Sequence, residues 1–134
     1  MKDMFACLEC GRAQFAGRPE EALDAPWTPH PAFPGVSLKL LVSGKDTDGA
    51  LSCHLVRVAP GCELKSHAHE NQWELHEVAG GRGAARLGDR ETAYAPGSVM
   101  VIPKGVVHAV RADPDSPDSP DGLLLFAKFF PALV

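Results

Sequence analysis

Four side chains in this sequence have the types and spacing to hold a metal ion. His67 and His69 flank a single alanine, Glu74 follows five residues later, and His108 stands further along the chain. Three neutral imidazoles and one carboxylate form a donor set of intermediate hardness, suited to iron, manganese, nickel, copper or zinc and poorly suited to calcium or magnesium. With a divalent ion the cluster would keep a net charge of about +1, and a six-coordinate ion would have about two positions left for substrate, water or dioxygen. Such a centre favours bound enolates and carboxylates, and it can polarise a carbonyl or hold oxygen beside its target. One divalent transition metal of open identity is therefore the expected cofactor.

The elements that carry these residues must aim them at one point. Residues two apart on a β-strand face the same way, so a strand through His67 and His69 presents both imidazoles together. Glu74 has the opposite parity. The polar stretch Glu70-Asn71-Gln72 can supply a turn that resets the chain, after which Glu74, His76 and Val78 share a face; Val106, His108 and Val110 likewise share a side, most simply a barrel interior. His76, beside Glu74, is the candidate catalytic residue. It reads as a general base near a metal-bound substrate or as a partner that orients Glu74, with a buried structural histidine as the alternative.

Other residues carry weaker signals. Arg57, Tyr94, Met100, Cys53 and Cys62 are candidates for a cavity wall, whereas Trp73 and Phe129 read as core. His30, between two prolines, reads as an exposed loop residue, and His54 has no partner signal. Cys7 and Cys10 form a CxxC, but no second CxxC completes a four-ligand zinc site, so all four cysteines are expected as free thiols.

Twelve prolines and thirteen glycines punctuate the 134 residues closely enough to disfavour long helices and favour short strands. Residues 1–35 hold five of the prolines and are expected to form an irregular arm, pinned by Trp27 and Phe33, that packs on a domain spanning 36–134 or on a partner subunit. Strand-like runs follow at 36–43, 50–59, 73–79, 83–87, 90–95, 98–102, 106–111 and 123–130, with a two-residue hairpin turn at Gly88-Asp89. So many short strands fit a closed all-β barrel or jelly roll, which hides its sheet edges. The stretch 113–121 reads as a solvated acidic loop. Leu123–Phe130 is apolar on both faces and needs cover from the arm or from a second subunit, which suggests a homodimer.

Composition narrows the partners. A net charge of −4 with scattered Lys and Arg argues against nucleic acid. No stretch approaches the roughly 20 apolar residues that cross a membrane as a helix, and the N-terminus lacks the apolar run of a signal peptide. The expected setting is cytoplasmic, with a small molecule as ligand.

The spacing of the candidate ligands resembles the two motifs of the cupin superfamily. The first, G(X)5HXH(X)3-4E(X)6G, is met at Gly61, His67, His69, Glu74 and Gly81; the second, G(X)5PXG(X)2H(X)3N, at Gly97, Pro103, Gly105 and His108, with Ala112 in place of the closing Asn. The resemblance implies a single-domain jelly-roll barrel, the double-stranded β-helix of cupins, with a metal on His67, His69, Glu74 and His108. It further implies a metal-dependent enzyme acting on a small oxygenated substrate by dioxygenase or by isomerase or lyase chemistry. A non-catalytic barrel that binds or senses a sugar or metabolite is the competing expectation.

Overall fold

A computed structural model describes residues 3–114, 117 and 119–134. Nine strands build the body of the fold. They are β4 (Val36–Val42), β5 (Ser52–Val58), β6 (Glu63–His67), β7 (Trp73–Gly80), β8 (Gly83–Leu87), β9 (Arg90–Tyr94), β10 (Val99–Ile102), β11 (His108–Ala112) and β12 (Leu123–Phe130). Before them come a helix, α1 (Met4–Glu9), and three short strands, β1 (Arg12–Ala13), β2 (Glu21–Ala22) and β3 (Trp27–Pro29). One sheet runs β10-β7-β12-β5-β4-β3 and faces a second that runs β6-β11-β8-β9, every pairing being antiparallel. This is the jelly-roll architecture expected from the punctuated strand pattern.

Alternation decides what lies between the sheets. Along β12, Leu123, Leu125, Ala127 and Phe129 are buried while the residues between them are less so. Along β7, Glu74, His76 and Val78 point inward by the same period of two. One end of the interior is an apolar cluster that includes Val36, Val58, Val78, Tyr94, Ile102, Val110 and Leu123. The other end is the cavity described below.

Several sequence expectations change. The segment 1–35 is not irregular throughout, because its prolines leave room for short extended pieces. β3 pairs with β4 at the sheet edge, where Pro29 lacks only a hydrogen bond that an edge strand does not need. Helix α1 starts at Asp3, whose carboxylate accepts from the Ala6 N–H. It buries Phe5 between Trp27 and Phe126, each with ring centroids 6.0 Å away, so the outer face of β12 at Phe126 is covered from within the chain. Trp27 is fixed in turn by donating to Glu9 and by the Arg57 guanidinium over its ring. Trp73, read as core, is 45% exposed on the outer face of β7. The strand expected at 106–111 begins at His108. In the stretch 113–121, Asp115, Ser116 and Asp118 lie outside the described residues; Ser119 is buried rather than solvated, donating to the Gly122 carbonyl and accepting from the Arg82 N–H.

Phe5 has the burial of a core side chain although it sits on a six-residue helix that could not persist alone. Phe5→Ala is expected to remove about 3 kcal/mol of stability and to lower the melting temperature by roughly 10 °C, read by circular dichroism. An unchanged melting curve would show that the arm contributes nothing to the fold.

Candidate metal centre

The four residues singled out by spacing come together. One donor atom from each of His67, His69, Glu74 and His108 lies within 4.8 Å of the other three. His67 ends β6, and His108 opens β11 directly opposite it in the sheet register. The strand stops at His67, so His69 reaches the cluster from a loop and not by strand parity. That loop is held by the Gly105 N–H, which donates to the His69 carbonyl at 2.9 Å. Gly105 has φ +75, a conformation glycine adopts freely, so this glycine of the second motif fixes a histidine of the first. Gly81 closes the first motif where an added Cβ would fall 1.9 Å from the Gly122 carbonyl oxygen. Ala112, where the second motif has Asn, is buried and ties in through its own backbone, its N–H donating to the Cys62 carbonyl.

Hydrogen bonds orient the rings of His67, His108 and His76. His67 donates from Nδ1 to the Lys65 carbonyl at 2.7 Å, and His108 from Nδ1 to the Val106 carbonyl at 3.0 Å. In both, the Nε2 lone pair is then left for the cluster, the arrangement that prepares imidazole as a ligand. Glu74 is 5% exposed. Its Oε2 accepts from His76 Nε2 at 2.7 Å, and His76 Nδ1 meets the Tyr94 hydroxyl at 2.9 Å. The consistent assignment is a chain in which Tyr94 O–H donates to His76 and His76 N–H donates to Glu74. Both nitrogens of His76 are thereby engaged within the protein.

The remaining atoms face one another without a partner. Glu74 Oε1 and His108 Nε2 are 3.1 Å apart, yet both are sealed from solvent and neither makes an aligned hydrogen bond. His69 Nε2 lies 3.6 Å from the same oxygen. Two lone pairs opposed at that distance in a dry interior call for a cation between them. Metal–ligand bonds of about 2.1 Å set neighbouring donors roughly 3 to 4 Å apart, so the cluster fits a transition metal ion by both chemistry and spacing.

Electrostatics agree with that reading. Burial by itself would push the Glu74 carboxyl up, but the imidazoles of His108 and His76 beside it hold it well below the usual carboxylate range. Burial lowers His67 and His69 from 6.5, keeping both rings neutral and available. Burial would lower His108 too, but the Glu74 carboxylate and the Val106 carbonyl raise it above 6.5. Burial and the Glu74 charge together raise the Tyr94 phenol far above its ordinary value, leaving it a donor.

A cavity of about 290 Å³ opens onto the cluster, lined by His67, His69, Glu74 and His76 and by Leu38, Val56, Leu64, Leu125, Ala127 and Phe129. His30 and His54 also line it, although neither was expected there. His30 is half-buried rather than exposed: its Nδ1 accepts from the Ala32 and Phe33 N–H groups, and its ring stacks on Phe33. The clue for His54 was its parity with Val56 and Val58 on one strand. Phe129 belongs to the core and to the cavity wall alike, its ring meeting His69 edge-on at 5.1 Å. Of the weaker candidates, Tyr94 joins the centre through His76, Arg57 lies outside over Trp27, and Met100 is buried in the core cluster. Cys62 packs against that cluster, Cys53 is half-buried, and Cys7 and Cys10 are exposed; all four are free thiols.

Comparison with known proteins agrees with this fold. Residues 54–118 match the family model described as a cupin domain. No curated protein sequence matches the chain. Among solved structures, KdgF from Halomonas sp. superposes with a TM-score of 0.67 at 22% identity, covering 81% of this chain and 89% of its own. An RmlC-like cupin from Shewanella frigidimarina gives 0.67 at 17% identity over 91% and 95%. Ectoine synthase from P. lautus gives 0.62 at 18% identity over 75% and 67%. At these identities the likeness is one of fold.

The histidine shifts set a sign for the effect of acid on the metal-free protein. His30, His54, His67 and His69 are all held below 6.5 by burial, so the unfolded chain binds protons that the folded chain refuses. Their contribution to stability is present above pH 6.5 and is lost as pH falls toward the folded values. His108 alone works the other way, stabilising below 6.5 and losing that contribution as pH rises through its raised value. The chelator-treated protein is therefore expected to melt at lower temperature at pH 5.5 than at pH 7.5, and a melting point that held or rose would contradict the assignment.

Proposed function

The chain carries a small cupin-superfamily domain, and we propose that it is a metal-dependent enzyme acting on a small oxygenated substrate. The observation that carries this reading is the sealed, unpartnered pair Glu74 Oε1 and His108 Nε2, flanked by His67 and His69, at the head of a cavity large enough for a small molecule. His67, His69, Glu74 and His108 would hold one divalent transition metal. When bound, such an ion supplies a Lewis acid that polarises a carbonyl or stabilises an enolate, and iron or manganese also supports oxygen chemistry.

The protein's own residues do the rest. Val106 and Lys65 carbonyls keep the rings of His108 and His67 in register with the cluster. His76 positions Glu74, since its two nitrogens are committed to Glu74 and Tyr94. The apolar walls exclude bulk water from whatever lies against the centre. A three-histidine and one-carboxylate centre in a barrel serves dioxygenase and isomerase or lyase chemistry alike, and turnover of a panel of diketones, phenols and uronates with and without air separates them: activity indifferent to oxygen would rule out the dioxygenase form. A metal-loaded protein that binds these compounds and turns over none would be a binding module.

Two outcomes test the centre itself. Elemental analysis of protein purified without added metal is expected to find one divalent transition metal per chain, and Glu74→Gln to lose it; metal content untouched by Glu74→Gln would place the ion elsewhere. His76→Leu is expected to weaken metal binding by about 10- to 100-fold through the loss of the bond that holds Oε2, measured by competition with a chromogenic chelator. An unchanged affinity would remove His76 from the positioning role.

A further inference from the structure

His54 belongs neither to the four donors nor to the Tyr94, His76 and Glu74 chain, yet it faces the same cavity. Ala127 on β12 pairs with His76 on one side and with His54 on the other. The three residues thus form one row across the sheet, and at about 4.8 Å per strand the backbones of His54 and His76 are about 10 Å apart. Between them Ala127 presents only a methyl group, so the space over that row stays open. The ring of Phe129 stands beside it, edge-on to His54 at 5.9 Å and to His69 at 5.1 Å.

The imidazole of His54 is 8% exposed, and among the described residues no hydrogen bond engages either of its nitrogens. Those nitrogens are not among the atoms sealed from solvent, so they open onto the cavity. A buried polar side chain is nearly always paired, and the space that would pair this one is the ligand's. Burial lowers its pKa, so the neutral ring offers one donor and one acceptor. Apart from His30, whose Nδ1 is taken by the Ala32 and Phe33 N–H groups, the other walls are mainly aliphatic and aromatic, with no lysine or arginine on the lining. An anionic tail would therefore be buried there without a countercharge, at a cost of a few kcal/mol. The volume of about 290 Å³ is roughly twice that of a cavity that takes benzene, about 150 Å³.

We propose, resting on the metal-dependent reading above, that His54 is the substrate-binding residue opposite the metal. The occupant is a single-ring-sized molecule with a two-oxygen chelating head at the cluster, apolar flanks, and an uncharged hydrogen-bonding group at its far end that meets His54. Polyanions and sugar acids are excluded as preferred substrates by the same lining.

Cobalt(II)-loaded protein titrated under nitrogen with catechol, 4-(hydroxymethyl)catechol and protocatechuate, followed by its visible spectrum, tests this. The hydroxymethyl compound is expected to bind about three- to tenfold more tightly than catechol, and protocatechuate at least about tenfold more weakly. His54→Leu should abolish the hydroxymethyl advantage while leaving catechol affinity and cobalt content unchanged, and His54→Gln, which keeps a donor and an acceptor, should retain it. Three compounds bound alike by the unaltered protein, or an equal loss for all three in His54→Leu, would overturn the assignment of His54 and leave the metal centre standing. Failure of the unaltered protein to take up cobalt or any other transition metal would overturn the centre itself.

Discussion

A carboxylate at the heart of a β-barrel is the constraint around which this molecule is arranged. Ionised and nearly without solvent, Glu74 would cost several kcal/mol if it stood alone. One oxygen is satisfied by His76, itself backed by Tyr94 from the opposite sheet, and the other is left against the imidazoles of His69 and His108. The first half of that arrangement is complete within the protein. The second half is a set of donors that could hold a cation.

The backbone carries much of the remaining work. Carbonyls of Lys65 and Val106 set the rings of His67 and His108, and the Gly105 amide holds the His69 loop beside them. The last of these contacts crosses between the two motif regions, and His67 faces His108 in the pairing of β6 with β11, so the centre forms only when that pairing is in register. The helix and short strands at the N-terminus contribute at a distance: Phe5 and Trp27 cover the outer face of the strands whose inner faces line the cavity.

Polarity within the cavity is divided sharply. The four candidate donors and His76 gather at one side, apolar walls follow, and His54 stands across the row from His76. Both nitrogens of His76 are committed to the protein, whereas no hydrogen bond among the described residues engages the ring of His54, a contrast between two histidines on the same row of one sheet.

Much of this was legible along the chain. The period of two, broken by Pro and Gly pairs, marked the strands closely, with 83–87 and 123–130 recovered to the residue, because strand burial is a local alternation. The convergence of His67, His69, Glu74 and His108 was legible because their spacing, with the glycines around it, is tied to the turns that aim the side chains. His69 was reached by the wrong route, since where β6 ends depends on the distant Gly105. The helical N-terminus and the burial of Ser119 were not legible, and for His54 parity with Val56 and Val58 could give the inward face but not the cavity it meets. Each depends on what lies across the sheet or on top of it: Phe126 above β12, Gly122 and Arg82 around Ser119, Ala127 beside His54. Types and intervals along the polypeptide determined which residues could bind a metal and which stretches would be strands. Strand register and packing, which join residues far apart in sequence, decided which histidines converge, which one is tied up within the protein and which others line the cavity.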